Sequence, residues 1–217
     1  MEKIDELSQS KYCYQGTSVL INKKNILDKE QLKEEEIGLT TYKLSLLNLD
    51  DEILNKKYNF EHYLNIHKFL FDELYDFAGC IRNENIHKSR EPYAPGKTPF
   101  CQVYLIRDML NQTLQEMNIN YRKITNRERY VLFLSKYFLD LNIIHPFREG
   151  NGRTLREFLR EYVERINKDL GFDFELDYSM DEEVKDKFTK AAILDDQNLS
   201  YEVFDAILKE KNNVKMK

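Results

Sequence analysis

Twelve consecutive residues, HPFREGNGRTLR from His145 to Arg156, bring together residue types that suit phosphate chemistry. The proline after His145 disfavours a helical backbone at the histidine, so we expect the chain to break there. Gly150 and Gly152 permit backbone angles that other residues resist. A Gly-Asn-Gly turn that opens a helix leaves backbone N–H groups unpaired, and these groups together with the positive helix end form an anion site.

Two arginines follow this turn. Arg153 and Arg156 fall in the first turn of the helix that the turn would open. Cations at that end oppose the helix dipole unless an anion sits among them. Their position therefore predicts a polyanionic ligand such as a di- or triphosphate.

An acid and a base complete the segment. Glu149 immediately precedes the turn, where a carboxylate would repel phosphates unless a metal ion lies between them. Magnesium prefers one or two carboxylates together with phosphate oxygens. His145 belongs to the residue type that titrates near neutrality, and its natural role is that of a general base that activates a hydroxyl. Together these residues predict transfer of a nucleotide-derived group to a hydroxyl.

Simpler explanations of the individual residues remain open. A glycine-rich turn between helices is often only a turn, and His145 alone could end a helix. A zinc site built on His145 and Glu149 would need further ligands, and the other histidines are only His62, His67 and His87. The chain contains no GxxxxGK[ST] phosphate loop and no GxGxxG after a strand.

The elements that must position this segment are predicted to be helical. Apolar periodicity indicates helices over about 28–49, 60–77, 100–117, 126–144, 154–167, 180–194 and 200–211. Asp28 is suited to cap the first helix, and Gly79 to stop the second. The segment 80–99 holds three of the four prolines and predicts a loop or short hairpin. The pattern favours one all-α domain with a special loop and a special turn.

Composition limits the class of protein. The chain is 41% hydrophobic and 33% charged, so it can bury a core and stay soluble. Its formal net charge of −5 argues against a protein that mainly binds nucleic acid directly. Three widely spaced cysteines indicate reduced thiols. The polar N-terminus lacks a signal peptide, and no apolar stretch approaches the roughly 20 residues that span a membrane, so we expect a cytoplasmic location and no membrane association.

At the residues His145–Arg156 the chain resembles the Fic family, whose motif HPFx[D/E]GNGRxxR it matches at every position. Three further segments are similar to this family, and in particular to its stand-alone bacterial toxins: residues 12–26, 66–88 and 97–106. The resemblance covers roughly residues 12–205. It implies a Fic fold, a compact helical bundle with a short β-hairpin flap, in a single domain over 1–217. The core would span about 50–195, with helical extensions at both ends.

The resemblance implies a bacterial protein adenylyltransferase that moves AMP from ATP to a tyrosine, threonine or serine hydroxyl of a target protein. It assigns His145 as the general base and Glu149 as the ligand of Mg²⁺. The phosphates would be bound by Gly150, Asn151, Gly152, Arg153 and Arg156, with Arg156 on the γ-phosphate. Phe147 would be a core anchor.

The loop 80–99 would be the flap, which in this family pairs with target backbone. The residues that match its end are Lys97, Thr98, Pro99 and Phe100. The stretch SREPYAPG before them is longer than expected.

Fic proteins are often inhibited by a helix with the motif [S/T]xxxE[G/N], whose glutamate pairs with the second motif arginine. No complete match occurs: Glu183 follows Ser179 but precedes Val184, and Glu35 lacks the hydroxyl residue before it. We therefore expect a separate small antitoxin with an inhibitory helix. A homodimer is a further expectation.

Two other functions stay open. Related transferases move UMP, a phosphoryl group or phosphocholine, although phosphoryl-transferring relatives usually lack an intact GNGR. The chain could also be a nucleotide-responsive binding module without turnover, against which the intact His145 speaks.

Overall fold

A computed structural model describes residues 10–50 and 52–211 of the chain. The predicted domain of residues 1–217 therefore extends at both ends, and at residue 51, outside the described residues. Its boundaries stay a prediction.

The predicted all-α class is confirmed. The described residues form seven α-helices: α1 (Lys29–Leu49), α2 (Phe60–Phe71), α3 (Ile106–Asn120), α4 (Arg127–Ile144), α5 (Asn151–Leu170), α6 (Glu182–Leu194) and α7 (Gln197–Ile207). Two short 3₁₀ turns, Val103–Leu105 and Tyr121–Lys123, lie before and after α3. None of these helices has the length and apolar character needed to cross a membrane.

Short polar side chains begin most of the helices. Asp28, as predicted, accepts a hydrogen bond from the backbone N–H of Gln31 and caps α1. Side-chain oxygens cap four other helices in the same manner, at Asn59, Asn126, Asp181 and Asp196. Such caps satisfy N–H groups that the first helical turn leaves unpaired. Helix α5, which follows the segment His145–Gly150, differs. Its N-cap is Gly150, and no side chain caps it.

Two antiparallel strand pairs accompany the helices. Strands β1 (His87–Ser89) and β2 (Lys97–Pro99) form the predicted hairpin within 80–99, with Lys88 opposite Thr98. We call residues 87–99 the flap hairpin. The second pair, β3 (Phe174–Leu176) and β4 (Leu208–Glu210), is not predicted from the sequence.

The prediction of a helix up to residue 211 is wrong over its last residues. Helix α7 ends at Ile207, whose carbonyl accepts the backbone N–H of Asp177. Lys211 N–H then donates to Asp173. Pairing with β3 thus satisfies the backbone better than another helical turn.

The predicted end of α2 near Gly79 is also wrong, because the helix stops at Phe71. The N-terminal segment binds the backbone that follows. Lys23 N–H donates to the carbonyl of Leu74, and its ammonium donates to the carbonyl of Asp72. Long-range hydrogen bonds therefore replace the helical ones that the apolar pattern predicts.

Helix α3 likewise starts later than predicted, at Ile106 instead of Phe100. The N–H groups of Phe100 and Cys101 donate to the carbonyls of Ile86 and Ile143. These bonds keep the chain extended where it passes the end of α4. Helix α5 starts earlier than predicted, at Asn151, because Gly150 already takes the left-handed conformation of its cap.

The core lies around α4 and α5. Helix α4 buries ten of its side chains and packs against α7, α3 and α5. Helix α2 packs across α5 and contributes apolar residues that are almost fully buried, including Tyr63, Ile66, Leu70 and Phe71. The segment His145–Arg156 thus begins at the end of one central helix and continues into the next.

A buried polar pair fixes α2 against α5. The His62 and Glu161 side chains have no exposed surface, and His62 Nε2 lies 2.8 Å from the Glu161 carboxylate. His62 Nδ1 accepts the backbone N–H of Tyr58, so the ring proton is on Nε2, next to the carboxylate, although no hydrogen bond of good geometry joins the two groups. Lys56 lies 4.0 Å from the same carboxylate. A buried charge is tolerated only with such partners.

We predict that Glu161→Ala lowers the free energy of unfolding by about 3–5 kcal/mol, because it removes the carboxylate that lies beside the buried His62 ring and Lys56. Glu164→Ala, one turn along the same helix, is the control. Its carboxylate is 35% exposed and pairs with Lys56 and Arg160 at the surface, so the loss should stay below about 1 kcal/mol. Urea denaturation measures both, and equal losses would contradict the prediction.

Candidate active site

The turn between α4 and α5 has the broken backbone that the sequence predicts. His145 adopts a left-handed conformation with φ of 44°, and Gly150 does so with φ of 79°. The Asn151 side chain closes the turn. Its amide donates to the Phe147 carbonyl at 2.8 Å and its oxygen accepts the Phe147 N–H at 2.9 Å. Asn151 can therefore offer a ligand its backbone N–H, while its side chain serves the turn.

Gly150 is required by space as well as by conformation. A Cβ atom on Gly150 would lie 2.3 Å from the Phe71 ring. The ring is fully buried and belongs to α2, so it cannot move aside. Gly152 differs, because the nearest atom to a Cβ there is the end of the Arg156 side chain at 3.5 Å. Packing against Phe71 therefore requires glycine at position 150. Position 152, in contrast, has room for a side chain next to Arg156.

The His145 ring is held in one tautomer. Nδ1 lies 3.1 Å from the carbonyl of Asn142 and must donate to it, so Nε2 carries the lone pair. The Phe100 ring stacks on the imidazole with centroids 3.7 Å apart. Burial is the main cause that lowers the pKa of His145 to about 4; the hydrogen bond to Asn142 opposes this shift, and the positive charges of Arg82 and Lys88 add to it. At neutral pH the ring is therefore uncharged and able to accept a proton at Nε2.

Arg82 fixes the backbone on which His145 sits. Its side chain is 1% exposed, and Nε donates to the His145 carbonyl at 2.8 Å. The same guanidinium donates to the carbonyls of Glu84 and Cys101, and the Arg82 N–H donates to Pro146 at 2.8 Å. One buried arginine thus ties the approach to the flap hairpin to the end of α4.

Glu149 and Arg153 form a small ion-pair network with α1. Arg153 pairs with Glu36 and lies 3.4 Å from a Glu149 oxygen. Glu36 also accepts a hydrogen bond from the Tyr75 hydroxyl. Burial raises the pKa of Tyr75, and this hydrogen bond raises it further. The same Glu149 oxygen accepts the Gly150 N–H at 2.8 Å. The Glu149 carboxylate is 44% exposed, so it stays accessible from solvent.

Arg148 and Arg156, which flank Glu149 and Arg153 in sequence, have no acidic partner within the described part of the chain. Arg156 is largely buried, and this burial lowers the pKa of its guanidinium. Arg148 lies over the Tyr12 ring and weakly contacts the Cys13 sulfur. A buried cation without a counter-charge is costly, so both positions favour a bound anion.

These groups surround a cavity of about 430 Å³, which is within the range of small-molecule sites. Helix α6 and the flap hairpin supply its outer wall through Phe188, Thr189, His87 and Lys88. A second cavity of about 500 Å³ lies on the α1 side and is lined by Glu36 and Arg153. The two cavities share Arg148, Glu149 and Arg156.

The predicted site residues divide between these features. His145, Glu149, Asn151, Gly152, Arg156 and Phe100 line the first cavity. Arg153 lines the second, and Gly150 is buried behind the turn. Phe147 is fully buried and stacks on His67, as expected of a core anchor.

The flap residues have distinct surroundings. Lys97 and Pro99 are exposed on β2, whereas Thr98 is buried and its hydroxyl donates to the carbonyl of Ile193. Phe100 is buried against His145.

Sequence reasoning assigns no role to three residues that hold the site. Arg82, His67 and Glu36 contact the motif through main-chain carbonyls or Arg153. Arg82 and His67 lie in the segment 66–88 that resembles the family, which is the one sequence feature that points to them. No spacing rule links either residue to the motif. Glu36 adjoins Glu35, the position that the inhibitory pattern suggested, and helical rotation brings Glu36 to the site.

Comparison with known proteins agrees with this geometry. Residues 57–163 match the Fic/DOC family. A probable protein adenylyltransferase of Sinorhizobium fredii is 31% identical over 149 residues, which cover 68% of this chain and 71% of the relative. The chain belongs to the Fic/DOC family. The probable protein adenylyltransferase Fic of Escherichia coli is 26% identical over 151 residues, 69% of this chain and 70% of the relative.

Solved structures share the fold. The Bartonella tribocorum effector protein BepC with bound AMPPNP superposes with a TM-score of 0.74 at 21% identity, covering 92% of this chain and 97% of that one. The Fic domain of a cell filamentation protein of Bartonella quintana with bound ADP gives a TM-score of 0.75 at 21% identity, with coverage of 95% and 98%. The Fic fold predicted from the motif is therefore confirmed.

We predict that Gly150→Ala lowers the free energy of unfolding by about 2–5 kcal/mol, because it forces a Cβ into the Phe71 ring and a side chain onto a positive φ. Gly152→Ala is the matched control, since its Cβ meets only the flexible end of Arg156. Chemical denaturation of both variants measures the difference. A Gly150→Ala protein as stable as Gly152→Ala would contradict the packing argument.

Proposed function

We propose that this Fic/DOC protein is an adenylyltransferase that transfers AMP from ATP to a tyrosine, threonine or serine hydroxyl of a target protein. One observation carries the proposal: the neutral His145, with its free Nε2, lines the same cavity as Arg156, a largely buried arginine that has no acidic partner among the described residues. Transfer of a phosphate-containing group to a hydroxyl needs a base for the hydroxyl proton and a cation for the phosphates. This cavity holds a residue suited to each task. The protein adenylyltransferase relatives support the choice of AMP.

In the proposed step the target hydroxyl oxygen attacks the α-phosphorus of ATP. Its proton passes to His145 Nε2, and the bond between the α-phosphorus and the bridging oxygen breaks, releasing pyrophosphate. Phosphoryl chemistry of this kind depends mainly on positioning and on neutralisation of charge. The Asn142 carbonyl, which holds Nδ1–H, and the Phe100 ring keep the imidazole aimed into the cavity.

The phosphates would be held by the start of α5. The backbone of Gly150, Asn151 and Gly152 forms the uncapped helix end, and Arg153 and Arg156 follow it. Arg156, which has no acidic partner among the described residues, is the contact for the γ-phosphate. Arg153 pairs with Glu36 and would have to exchange that partner for a phosphate.

Glu149 would hold Mg²⁺. Among the described residues no group of three or more acids, histidines or cysteines could hold a metal by itself. Glu149 is the sole carboxylate among the described residues that line the His145 cavity. This donor set fits magnesium, which takes its remaining ligands from phosphate oxygens and water. When bound, Mg²⁺ would neutralise phosphate charge.

The target would pair with the flap hairpin. The side chains of β1 are exposed, and Lys97 and Pro99 project from β2. Main-chain pairing with an extended target segment adds a strand and carries little sequence information. A cytoplasmic location in a bacterium and a homodimer remain predictions.

Transfer of UMP, a phosphoryl group or phosphocholine is the second candidate, and a binding module without turnover is the third. The oriented, uncharged His145 favours turnover over binding alone. The label position in ATP separates AMP transfer from phosphoryl transfer.

We expect wild-type protein with Mg²⁺ to transfer label from α-³²P-ATP and not from γ-³²P-ATP. His145→Ala should reduce transfer at least about 100-fold, because general-base catalysis contributes roughly that much. Its thermal midpoint and ATP affinity should stay near wild type. Label from the γ position alone would overturn AMP transfer, and undiminished labelling by His145→Ala would overturn the role of the histidine.

Regulation by a separate small antitoxin with an inhibitory helix is also proposed. Glu183 and Glu35, the positions that most resemble an inhibitory glutamate, do not contact the motif arginines; Glu35 pairs with Lys24 and Glu183 with Lys187. Glu36 does contact Arg153, but Arg156 stays without an acidic partner among the described residues. The second motif arginine is therefore left for an outside group.

We predict that the purified wild-type chain is active alone, and that Glu36→Ala lowers the KM for ATP roughly three- to tenfold by freeing Arg153 from a competing ion pair of about 1 kcal/mol. Glu35→Ala is the control, since its carboxylate pairs with Lys24 away from the site. Steady-state labelling measures both. A silent wild type that Glu36→Ala, Glu35→Ala or Glu183→Ala activates would overturn the antitoxin proposal and place the inhibitor within the chain.

A further inference from the structure

His67, on α2, lies at the centre of a bridge between two backbone segments. It is fully buried, and its ring stacks on Phe147 with centroids 3.7 Å apart. Nδ1 accepts the N–H of Gly79 at 2.8 Å, and Nε2 lies 3.0 Å from the carbonyl of Glu149. Both of its nitrogens are therefore engaged with main-chain atoms.

These partners define where the ring proton lies. A backbone N–H can only donate, so Nδ1 must present its lone pair to Gly79. A carbonyl can only accept, so Nε2 must carry the proton and donate to Glu149. The neutral ring in this tautomer satisfies both partners at once, whereas the other tautomer satisfies neither.

The hydrogen bond to Glu149 sets the orientation of a peptide plane. In a trans peptide the C=O and the following N–H point to opposite sides. With the Glu149 carbonyl held by His67, the Gly150 N–H points away from α2. There it donates to the Glu149 carboxylate at 2.8 Å. The direction of this N–H, and with it the place of the carboxylate, depends on the plane that His67 holds.

This plane needs an external constraint. Gly150 has no Cβ and adopts φ of 79°, a conformation that glycine enters and leaves more easily than other residues. Rotation of the preceding peptide would aim the carbonyl, instead of the N–H, at the Glu149 carboxylate and at any anion beside it. Nothing within the glycine itself prevents that rotation.

We propose that His67 is a positioning residue that selects the orientation of the Glu149–Gly150 peptide and thereby places the Glu149 carboxylate for Mg²⁺. Only the expected effect on catalysis rests on the proposed function. The claim about the peptide plane stands on the structure alone. His67 does not touch the reacting atoms and acts through Glu149.

Two substitutions separate the two ends of the bridge. In His67→Gln the amide nitrogen lies as many bonds from the backbone as Nε2, so it can still donate to Glu149. In His67→Asn the amide oxygen lies as many bonds away as Nδ1, so it can still accept from Gly79. Each variant keeps one hydrogen bond of His67 and loses the other, and both remove the same stacked ring.

Glycine labelling reads the bridge directly. The chain has seven glycines, and Gly150 is the sole one preceded by glutamate, as Gly79 is the sole one preceded by alanine. With ¹⁵N-glycine and carbonyl-¹³C glutamate or alanine, both amides are assigned without ambiguity. We expect Gly150 hydrogen exchange to be roughly tenfold or more faster in His67→Asn and near wild type in His67→Gln, with the reverse at Gly79.

Activity supplies the second readout. At saturating ATP, His67→Asn should lose about 10–100-fold in labelling rate and require more Mg²⁺, as groups that orient a metal ligand do. His67→Gln should recover most of that loss at an equal thermal midpoint. Equal labelling rates in the two variants would overturn the positioning role. Losses in labelling rate that parallel the losses in thermal midpoint would overturn it as well.

The two proposals fail separately. If wild-type protein transfers no AMP, the proposed function fails, while the Gly150 amide still decides whether His67 holds the peptide. If either variant does not fold, ¹⁵N spectra of the wild-type imidazole give the tautomer, and a proton on Nδ1 of His67 would overturn the proposal. Unchanged Gly150 exchange in a folded His67→Asn protein would overturn it as well.

Discussion

The site depends on a turn whose conformation is held mainly by contacts with other parts of the chain. Between α4 and α5 the chain passes through a left-handed histidine and a left-handed glycine, and no side chain caps the helix that follows. The uncapped end is what makes an anion site, so the usual stabilisation of a helix start is given up there. The surrounding elements supply the missing constraints: Arg82 from the segment before the flap hairpin, His67 and Phe71 from α2, and Asn151 from within the turn.

Positive charge exceeds negative charge around the turn. Three arginines, Arg148, Arg153 and Arg156, approach it, and the acids that face them are Glu36 and Glu149. Arg156 and Arg148 remain without acidic partners within the described residues, although burial of such cations opposes folding. The buried pair His62–Glu161 shows the opposite arrangement on the same helix, where every charge has a partner. Among the described residues, Arg148 and Arg156 thus leave positive charge uncompensated at the place where a polyphosphate would supply the missing negative charge.

Sequence patterns predicted the helices well where one apolar face meets one core, as in α1 and α4, whose caps at Asp28 and Asn126 are local signals. They failed where distant backbone competes for hydrogen bonds, as at the end of α2 with Lys23 and at the end of α7 with β3. The motif located the site because its residues are contiguous. The contacts of His67, Arg82 and Glu36 with the motif join residues 63 to 117 positions apart, and no periodicity encodes such pairs.

The tether between Thr98 and Ile193 has a consequence for the order of assembly. The hydroxyl on β2 bonds to a carbonyl 95 residues later in the chain, and Asn142 donates to the neighbouring carbonyl of Ala192. During synthesis the histidine and both motif arginines leave the ribosome before α6, and domains with such long-range contacts complete their packing late. A nascent chain thus carries the turn between α4 and α5 before the wall that faces it exists. Synthesis has to proceed through α6 before the cavity can have its complete wall.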